Sequence, residues 1–199
     1  MGRTAKKPAE INMTILTATG VTAVNDSVCA SVTDLLTDGK SVVYASASMR
    51  YATIFNKFGK AFGDYDESSC NLGSLLVTHL DDGFSVAELT DKYADADVLI
   101  IDDMTAADGY PYSLPYDLKT LKKYASGKRV FVGVIQSRQK ASSAKLVQFA
   151  KKFAEQNGIK YEEIKRDTPE DAPETPAEPK PAPQGEENKG GENKEEGGQ

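Results

Sequence analysis

Val98-Leu99-Ile100-Ile101-Asp102-Asp103 is the segment from which the fold can be predicted. Its four aliphatic residues, without a polar break, are typical of a strand buried on both faces in the middle of a parallel sheet. Two aspartates follow at the carboxyl end of this strand, where open α/β sheets form their ligand crevices. Carboxylates at that edge are suited to hold Mg²⁺ beside a phosphate. The alternative is that Asp102 and Asp103 only begin a loop and cap the next structural element.

Strand and helix patterns alternate on both sides of this segment. Further strands are predicted over residues 11–19, 41–45, 74–79, 130–135 and 161–164. Helices are predicted over residues 26–37, after Ser48 as far as 62, over 85–93 and 115–125, and from Ser142 or Ser143 to Gly158. This alternation predicts an α/β fold with a parallel sheet, helices on both faces and right-handed crossovers.

The composition changes sharply near Asp167. Residues 167–199 contain ten acids, six prolines and no Val, Ile, Leu, Met, Phe or Tyr. Such a segment cannot bury enough apolar surface to offset the entropy of ordering it. We therefore expect a flexible basic N-terminus over residues 1–10, an α/β domain over 11–166, and a disordered acidic tail over 167–199.

Charge is also segregated within the predicted domain. Residues 64–103 hold eleven acids and one lysine, whereas residues 119–152 hold ten lysines or arginines and no acid. A basic surface on a nearly neutral body suggests a polyanionic partner such as nucleic acid. The alternative is a solvated lysine face on two amphipathic helices.

Cysteine content and hydropathy indicate the compartment. Cys29 and Cys70 are the two cysteines, and no Cys-x-x-Cys occurs, which argues against a metal cluster or a disulfide framework. The basic N-terminus lacks a following apolar region, and no apolar run approaches membrane-spanning length. We expect a soluble cytoplasmic protein without a membrane partner.

The first strand-to-helix turn is the natural anion site of such a sheet. It reads Gly20-Val-Thr-Ala-Val-Asn25-Asp26-Ser27, against the phosphate-loop pattern G-x-x-x-x-G-K-[ST]. Gly20 and Ser27 match, whereas Asn25 replaces the second glycine and Asp26 replaces the lysine. An aspartate facing a triphosphate costs several kcal/mol at an effective dielectric constant of ~20.

From Ile11 to Lys140 the chain resembles the RecA-like core of replicative hexameric helicases and their RecA and RadA relatives. The matching segments come in the order of that family: residues 19–27 at the phosphate loop, 43–49 at the second strand, 75–93 at a strand and capped helix, 98–103 at the Walker B strand, 116–125 at the next helix, and 130–138 at the strand that carries Gln136 and Arg138.

The resemblance implies a nucleotide site made by Gly20, Ser27, Asp102 and Gln136, with Asp102 and Asp103 as the magnesium ligands. It also implies that this site is vestigial. Asp26 stands where the family has the phosphate-loop lysine, and Ser48 stands where the helicases have their catalytic glutamate. These groups clamp the phosphates and orient the attacking water. Mg²⁺ and ATP would be the cofactors only if the site still functions.

The resemblance also implies where nucleic acid would bind. In the RecA-like family, loops after these strands face a channel that holds single-stranded DNA, so the predicted phosphate contacts are Arg138, Lys140, Lys145, Lys128 and Arg129. Tyr110 and Tyr112 are candidates for base stacking. The alternative, which we favour, is that both pack beneath a proline-rich turn.

Three functions remain open. The favoured one is a non-catalytic RecA-like protein that binds nucleic acid, single-stranded DNA in particular, as an accessory in replication or recombination. Its acidic tail would regulate access to the basic face or recruit a partner protein; a purely solubilising tail is the alternative. The others are a Mg²⁺-dependent NTPase with a lysine supplied from elsewhere, and a structural or assembly protein, including a homo-oligomer, that retains the fold.

Overall fold

The computed structural model describes residues 11–47, 51–62, 73–136 and 141–165. In chain order, the described elements are β1 (Met13–Ala18), α1 (Val21–Thr37), β2 (Ser41–Ser46), α2 (Tyr51–Phe62), β3 (Ser74–His79), α3 (Val86–Lys92), β4 (Val98–Ile101), a 3₁₀ turn (Met104–Ala106), α4 (Leu114–Tyr124), β5 (Arg129–Ile135), α5 (Ala141–Asn157) and β6 (Lys160–Ile164).

The described strands form one sheet in the order β3-β2-β4-β5-β1-β6. Every neighbouring pair is parallel. Strand β4 lies between β2 and β5, and all four of its residues are buried. The α/β class and the parallel sheet predicted from the sequence are therefore confirmed.

Both faces of the sheet are covered by helices, as predicted. Helices α1 and α2 pack on one face, where they bury Val98 and Ile100 of β4. Helices α3, α4 and α5 pack on the other face, where they bury Leu99 and Ile101. Because successive side chains of a strand point to opposite faces, a strand between two cores is apolar at every position.

Local signals define the helices at their ends. Ser85 accepts a hydrogen bond at its Oγ from the backbone N–H of Glu88 (3.3 Å), which caps α3 as its sequence predicts. Pro115 stands in the first turn of α4, where its missing N–H costs no hydrogen bond.

Helix α1 begins earlier than predicted, at Val21 instead of about Asp26. Its buried stripe consists of Val24, Val28, Val32 and Leu36, each four residues after the last. Because Val24 continues this stripe toward Gly20, packing against the sheet extends the helix through the segment predicted as a loop.

Several predictions concern residues outside the described ranges. They are the flexible N-terminus over residues 1–10, the disordered tail over 167–199, Ser48 at the catalytic glutamate position, and the proposed phosphate contacts Arg138 and Lys140. Among the described helices, none has the length and apolar character needed to cross a membrane.

Candidate nucleotide site and candidate nucleic-acid interface

The carboxyl edge of the sheet brings three of the four predicted nucleotide-site residues together. Gly20 follows β1, Asp102 follows β4, and Gln136 follows β5, which lies between those two strands. The backbone N–H of Gln136 donates to the carbonyl of Ala18 (2.7 Å), so the end of β5 is held against the end of β1.

Ser27 does not join them, and the predicted phosphate loop is wrong in its geometry. Only Thr19 and Gly20 separate β1 from α1, so residues 21–27 are helical. At 1.5 Å per residue, Ser27 lies about 9 Å along the axis from the start of the helix. The backbone N–H groups of residues 24–27 instead enter the hydrogen-bond pattern of α1, whereas those of its first turn have no i−4 partner within the helix.

Asn25 is fully buried in this helix and is not in a left-handed turn. Its Nδ2 donates to the hydroxyl of Tyr44 on β2 (3.1 Å), and its Oδ1 has no hydrogen-bond partner among the described residues. Burial raises the pKa of Tyr44, and the negative charge of Asp102 raises it further, so this hydroxyl is neutral. Sequence reasoning missed this pair, although an asparagine among the buried positions of α1 is an available signal.

Asp26, at the position of the phosphate-loop lysine, forms an ion pair with Lys57 of α2. The Asp26 side chain is 62% exposed and the Lys57 side chain 24%. The pair joins the two helices on one face of the sheet and offsets the negative charge that the sequence places there.

Asp102 is fully buried, and both of its carboxylate oxygens accept hydrogen bonds within the protein. The hydroxyl of Ser46 donates to Oδ2 (2.5 Å), and the backbone N–H of Ala47 donates to Oδ1 (3.2 Å). Burial raises the pKa of Asp102 to about 6, against the lowering effect of these hydrogen bonds. The carboxylate therefore holds the end of β2 against the end of β4.

Asp103 caps the 3₁₀ turn that follows β4. Its Oδ1 accepts hydrogen bonds from the backbone N–H of Thr105 (2.8 Å) and from the hydroxyl of the same residue (2.6 Å). Burial raises the pKa of Asp103. One alternative from the sequence was that the two aspartates cap the next structural element. The structure shows this role for Asp103.

The described residues at this edge do not fit Mg²⁺ and ATP. A helix replaces the phosphate loop, the carboxylate of Asp102 is enclosed, and an oxygen of Asp103 serves a cap. In the described part of the chain, no three His, Cys, Asp or Glu side chains come close enough together to hold a metal ion. Magnesium beside a nucleotide is usually held by one or two carboxylates together with phosphate and water oxygens, and here one carboxylate is enclosed and the other is engaged in a cap.

The predicted phosphate contacts divide between different parts of the domain. Lys128 donates to the carbonyls of Ala94 and Ala96, the latter at 2.7 Å, and the guanidinium of Arg129 lies over the ring of Phe131 (5.2 Å). Both basic residues stand at the start of β5. At 3.3 Å per residue, this is about 20 Å from the carboxyl end of the strand, where Gln136 follows.

Lys145, the third predicted phosphate contact that the structure describes, is exposed on α5. It is therefore at neither end of strand β5. Lys145 is thus carried by a different element from Lys128 and Arg129.

Helix α4 and the turn before it carry an exposed row of aromatic and basic side chains that the sequence patterns did not reveal. Tyr112 is 87% exposed and Tyr116 is 70% exposed, and Lys119 and Lys123 are also exposed. Tyr116, Lys119 and Lys123, at spacings of three and four residues, lie along one side of α4, and Tyr112 stands in the turn just before the helix. We call these four residues the α4 stripe. The ammonium of Lys119 lies 5.7 Å from the centroid of the Tyr116 ring.

The two tyrosines of the preceding turn differ in their environment. Tyr110 packs against the core, and burial raises its pKa. The prediction that both tyrosines pack beneath the turn is therefore right for Tyr110 and wrong for Tyr112. For the helical part of the row, the spacing of Tyr116, Lys119 and Lys123 was the available signal.

Comparisons with known proteins give structural similarity alone. No protein-family model and no curated protein matches the chain. The flagellar accessory protein FlaH from Methanocaldococcus jannaschii is similar with 14% identity and a TM-score of 0.49, over 71% of this chain and 69% of that one. A DnaB-like replicative helicase, of the class that the sequence resembles, has 15% identity and a TM-score of 0.45, over 66% of this chain and 40% of that one. With TM-scores below 0.5, these similarities do not decide family or function.

Proposed function

We propose that this chain is a RecA-like accessory domain that binds single-stranded DNA through helix α4 and does not hydrolyse nucleotide. The family comes from the resemblance of residues 11–140 to the replicative helicases. The observation that carries the binding function is the α4 stripe, in which two exposed tyrosines continue into two exposed lysines. Aromatic stacking on bases and positive charge along the backbone are the two contributions that hold single-stranded nucleic acid.

The state of the carboxyl edge supports the absence of hydrolysis. Asp26 replaces the lysine with which the family clamps phosphate, and Ser48 replaces the glutamate that orients water. In addition, α1 is helical where a phosphate loop would stand. The function then lies in binding, as a cytoplasmic accessory in replication or recombination. Residues 167–199, with ten acids and three lysines, would regulate access to the basic side or recruit a partner by charge.

The binding proposal is tested by fluorescence anisotropy of a labelled oligothymidylate at about 50 mM and about 200 mM salt. We expect binding that weakens steeply with salt, and a loss of about tenfold in Tyr116→Ser, the lower part of the range for one stacked base. Phe55→Ser is the matched control, because this side chain on α2 is 47% exposed on the other face of the sheet. A folded protein that fails to bind the oligonucleotide at the lower salt concentration would refute the proposal.

The proposed absence of hydrolysis has its own test. Calorimetric titration with Mg²⁺ and ATP should give no heat, since the described residues at the edge do not fit the complex. Heat that disappears in Asp102→Ala, accompanied by phosphate release in the wild-type protein, would establish the NTPase alternative and refute this part of the proposal.

A further inference from the structure

A groove of about 750 Å³ lies between α4 and α5. Ile11, Pro115, Phe149 and Phe153 contribute its apolar lining, and Lys119 and Lys123 lie along its α4 side. We call it the α4–α5 groove. It lies on the face of the sheet opposite α1 and α2, and none of the residues that line it is acidic.

The polar groups at the α5 end of the groove are occupied within the fold. The ammonium of Lys122 donates to Oδ1 of Asn157 (2.7 Å), whose Nδ2 donates to the carbonyl of Phe153 (2.7 Å). This chain of hydrogen bonds fixes the side of the groove. Lys119 and Lys123 are the exposed cations that remain beside the apolar lining.

We propose that the α4–α5 groove binds an acidic peptide of a partner protein, with an apolar side chain of that peptide inserted against Phe149 and Phe153. The apolar lining favours an apolar occupant, because it removes this surface from water. The two lysines favour carboxylates on either side of the anchor. A groove that combines these features selects a peptide having both, and neither alone is sufficient.

Segments of this chain outside the described residues do not match this chemistry at either terminus. Residues 1–10, which directly precede Ile11, contain three basic residues and one acid, so their charge repels the lysines. Residues 167–199 have the required acids but none of the large apolar side chains. Neither terminus of this chain therefore supplies the complementary peptide, and we assign the peptide to another protein.

The depth of the phenyl rings favours a peptide over nucleic acid in this groove. Phe153 is 8% exposed and Phe149 is half-buried, with ring centroids 6.3 Å apart. A base stacks on an exposed ring face, whereas a leucine or phenylalanine side chain inserts end-on between partly buried rings. This inference concerns a different ligand from the α4 stripe and does not rest on the proposed function.

The test uses three probes with the full-length protein. The first is a fluorescein-labelled peptide of about twelve residues in which glutamates and aspartates surround one leucine and one phenylalanine, the kind of anchored segment that grooves recognise. The second is the same peptide with serine at the two anchor positions. The third is the oligothymidylate.

We expect the anchored peptide to bind, and its affinity to fall at least about tenfold in Lys123→Glu and in Gln156→Trp. The tryptophan would fill the groove from an exposed position on α5, so the core is unchanged. Lys151→Glu is the matched control, because Lys151 is exposed on α5 and does not line the groove. The peptide with serine anchors should bind at least about tenfold more weakly than the anchored one.

Three outcomes would overturn the inference. One is no binding of the anchored peptide at about 1 mM. Another is equal binding of the two peptides, which would indicate surface charge alone. The third is oligothymidylate binding that is lost in Gln156→Trp, which would assign the groove to nucleic acid. A wild-type protein that binds the anchored peptide but not the oligothymidylate would refute only the proposed function.

Discussion

The carbonyl oxygen of Asp102 lies 2.1 Å from the point at which a Cβ atom would stand on Gly133. The carbonyl carbon of the same residue is 2.7 Å from that point, and Cγ1 of Val24 is 3.2 Å away. Strand β5, the end of β4 and helix α1 therefore meet where only a glycine fits. This contact brings the backbone after β4 close to β5, and so positions the carboxylate of Asp102 toward β2.

We expect Gly133→Ala to lower the free energy of unfolding by about 3 kcal/mol, at the upper end of the usual cost of overpacking, because the obstructing atoms belong to the backbone. Urea unfolding at neutral pH measures the change. Gly20→Ala is the matched control: its added Cβ would meet nothing within 4 Å, and its extended φ of −166° suits any residue, so the cost should be below about 1 kcal/mol. Equal losses in the two variants would contradict the packing argument.

Burial of Asp102 predicts a dependence of stability on pH. Its pKa rises from 3.8 to about 6 in the folded protein. Between these values the folded state holds a proton that the unfolded state has released, so the contribution of Asp102 to stability is present at low pH and is lost as the pH rises through about 6. The difference corresponds to about 3 kcal/mol.

Asp102→Asn should remove this contribution while it preserves the local hydrogen bonds, since the amide oxygen can accept from Ala47 and the amide nitrogen can donate to the Ser46 hydroxyl. Measured by urea unfolding, the stability of the variant relative to the wild type should rise by up to about 3 kcal/mol between about pH 4 and about pH 8. Other carboxyl groups titrate in both proteins and largely cancel in this difference. A constant difference across the range would show that Asp102 titrates as an exposed aspartate does.

Much of the architecture was predictable because the central strands are short apolar runs between recognisable helix signals. Val98 to Ile101 allows few structures other than a strand buried on both faces. A parallel sheet then necessarily places the residues after its strands at one edge, and Gly20, Asp102 and Gln136 lie at that edge.

The side-chain chemistry of that edge was not predictable in the same way. Ser46 and Asp102 are 56 residues apart, and their 2.5 Å hydrogen bond depends on the relative height of two strands, which no periodicity specifies. The exposure of Tyr112 likewise depends on how one turn leaves the sheet. The four-residue spacing of its valines indicates that α1 starts near Val21. The partial match of Gly20 and Ser27 to a phosphate-loop pattern favoured a loop there instead.

Helix α1 predicts that restoring the lysine of the phosphate-loop pattern will not restore nucleotide binding. In Asp26→Lys the Cα atom of the new lysine would stand about 8 Å along the helix from its start, where no loop surrounds a phosphate. Calorimetric titration with Mg²⁺ and ATP should give no heat for this variant or for the control, Asp26→Asn. Heat in the lysine variant alone would mean that residues 20–27 can rearrange into a phosphate loop.

The buried pair of Asn25 and Tyr44 predicts a measurable coupling. Tyr44→Phe removes the only described hydrogen-bond partner of the Asn25 amide, so both polar atoms of that amide are left unpaired in the core. We expect a loss of about 1–2 kcal/mol in the free energy of unfolding. In an Asn25→Ala background the same substitution should cost about 1 kcal/mol less, as a double-mutant cycle measures. Additive losses would indicate that the hydrogen bond contributes nothing.

The α4 stripe and the start of β5 predict different salt dependences of DNA binding. If Lys119 contacts a phosphate, Lys119→Gln should reduce the slope of log affinity against log salt by about 0.7, the value for one contact on a single strand. Tyr116→Ser should weaken binding and leave the slope unchanged, because stacking releases no counterions.

Lys128→Gln is the informative comparison for that slope. The ammonium of Lys128 donates to the carbonyl of Ala96 (2.7 Å) and lies 5.1 Å from the Tyr124 ring centroid, so it is engaged within the fold. We expect this variant to lower the free energy of unfolding and to keep the wild-type salt slope. A reduced slope in Lys128→Gln, together with a wild-type slope in Lys119→Gln, would move the DNA-binding surface from α4 to the start of β5.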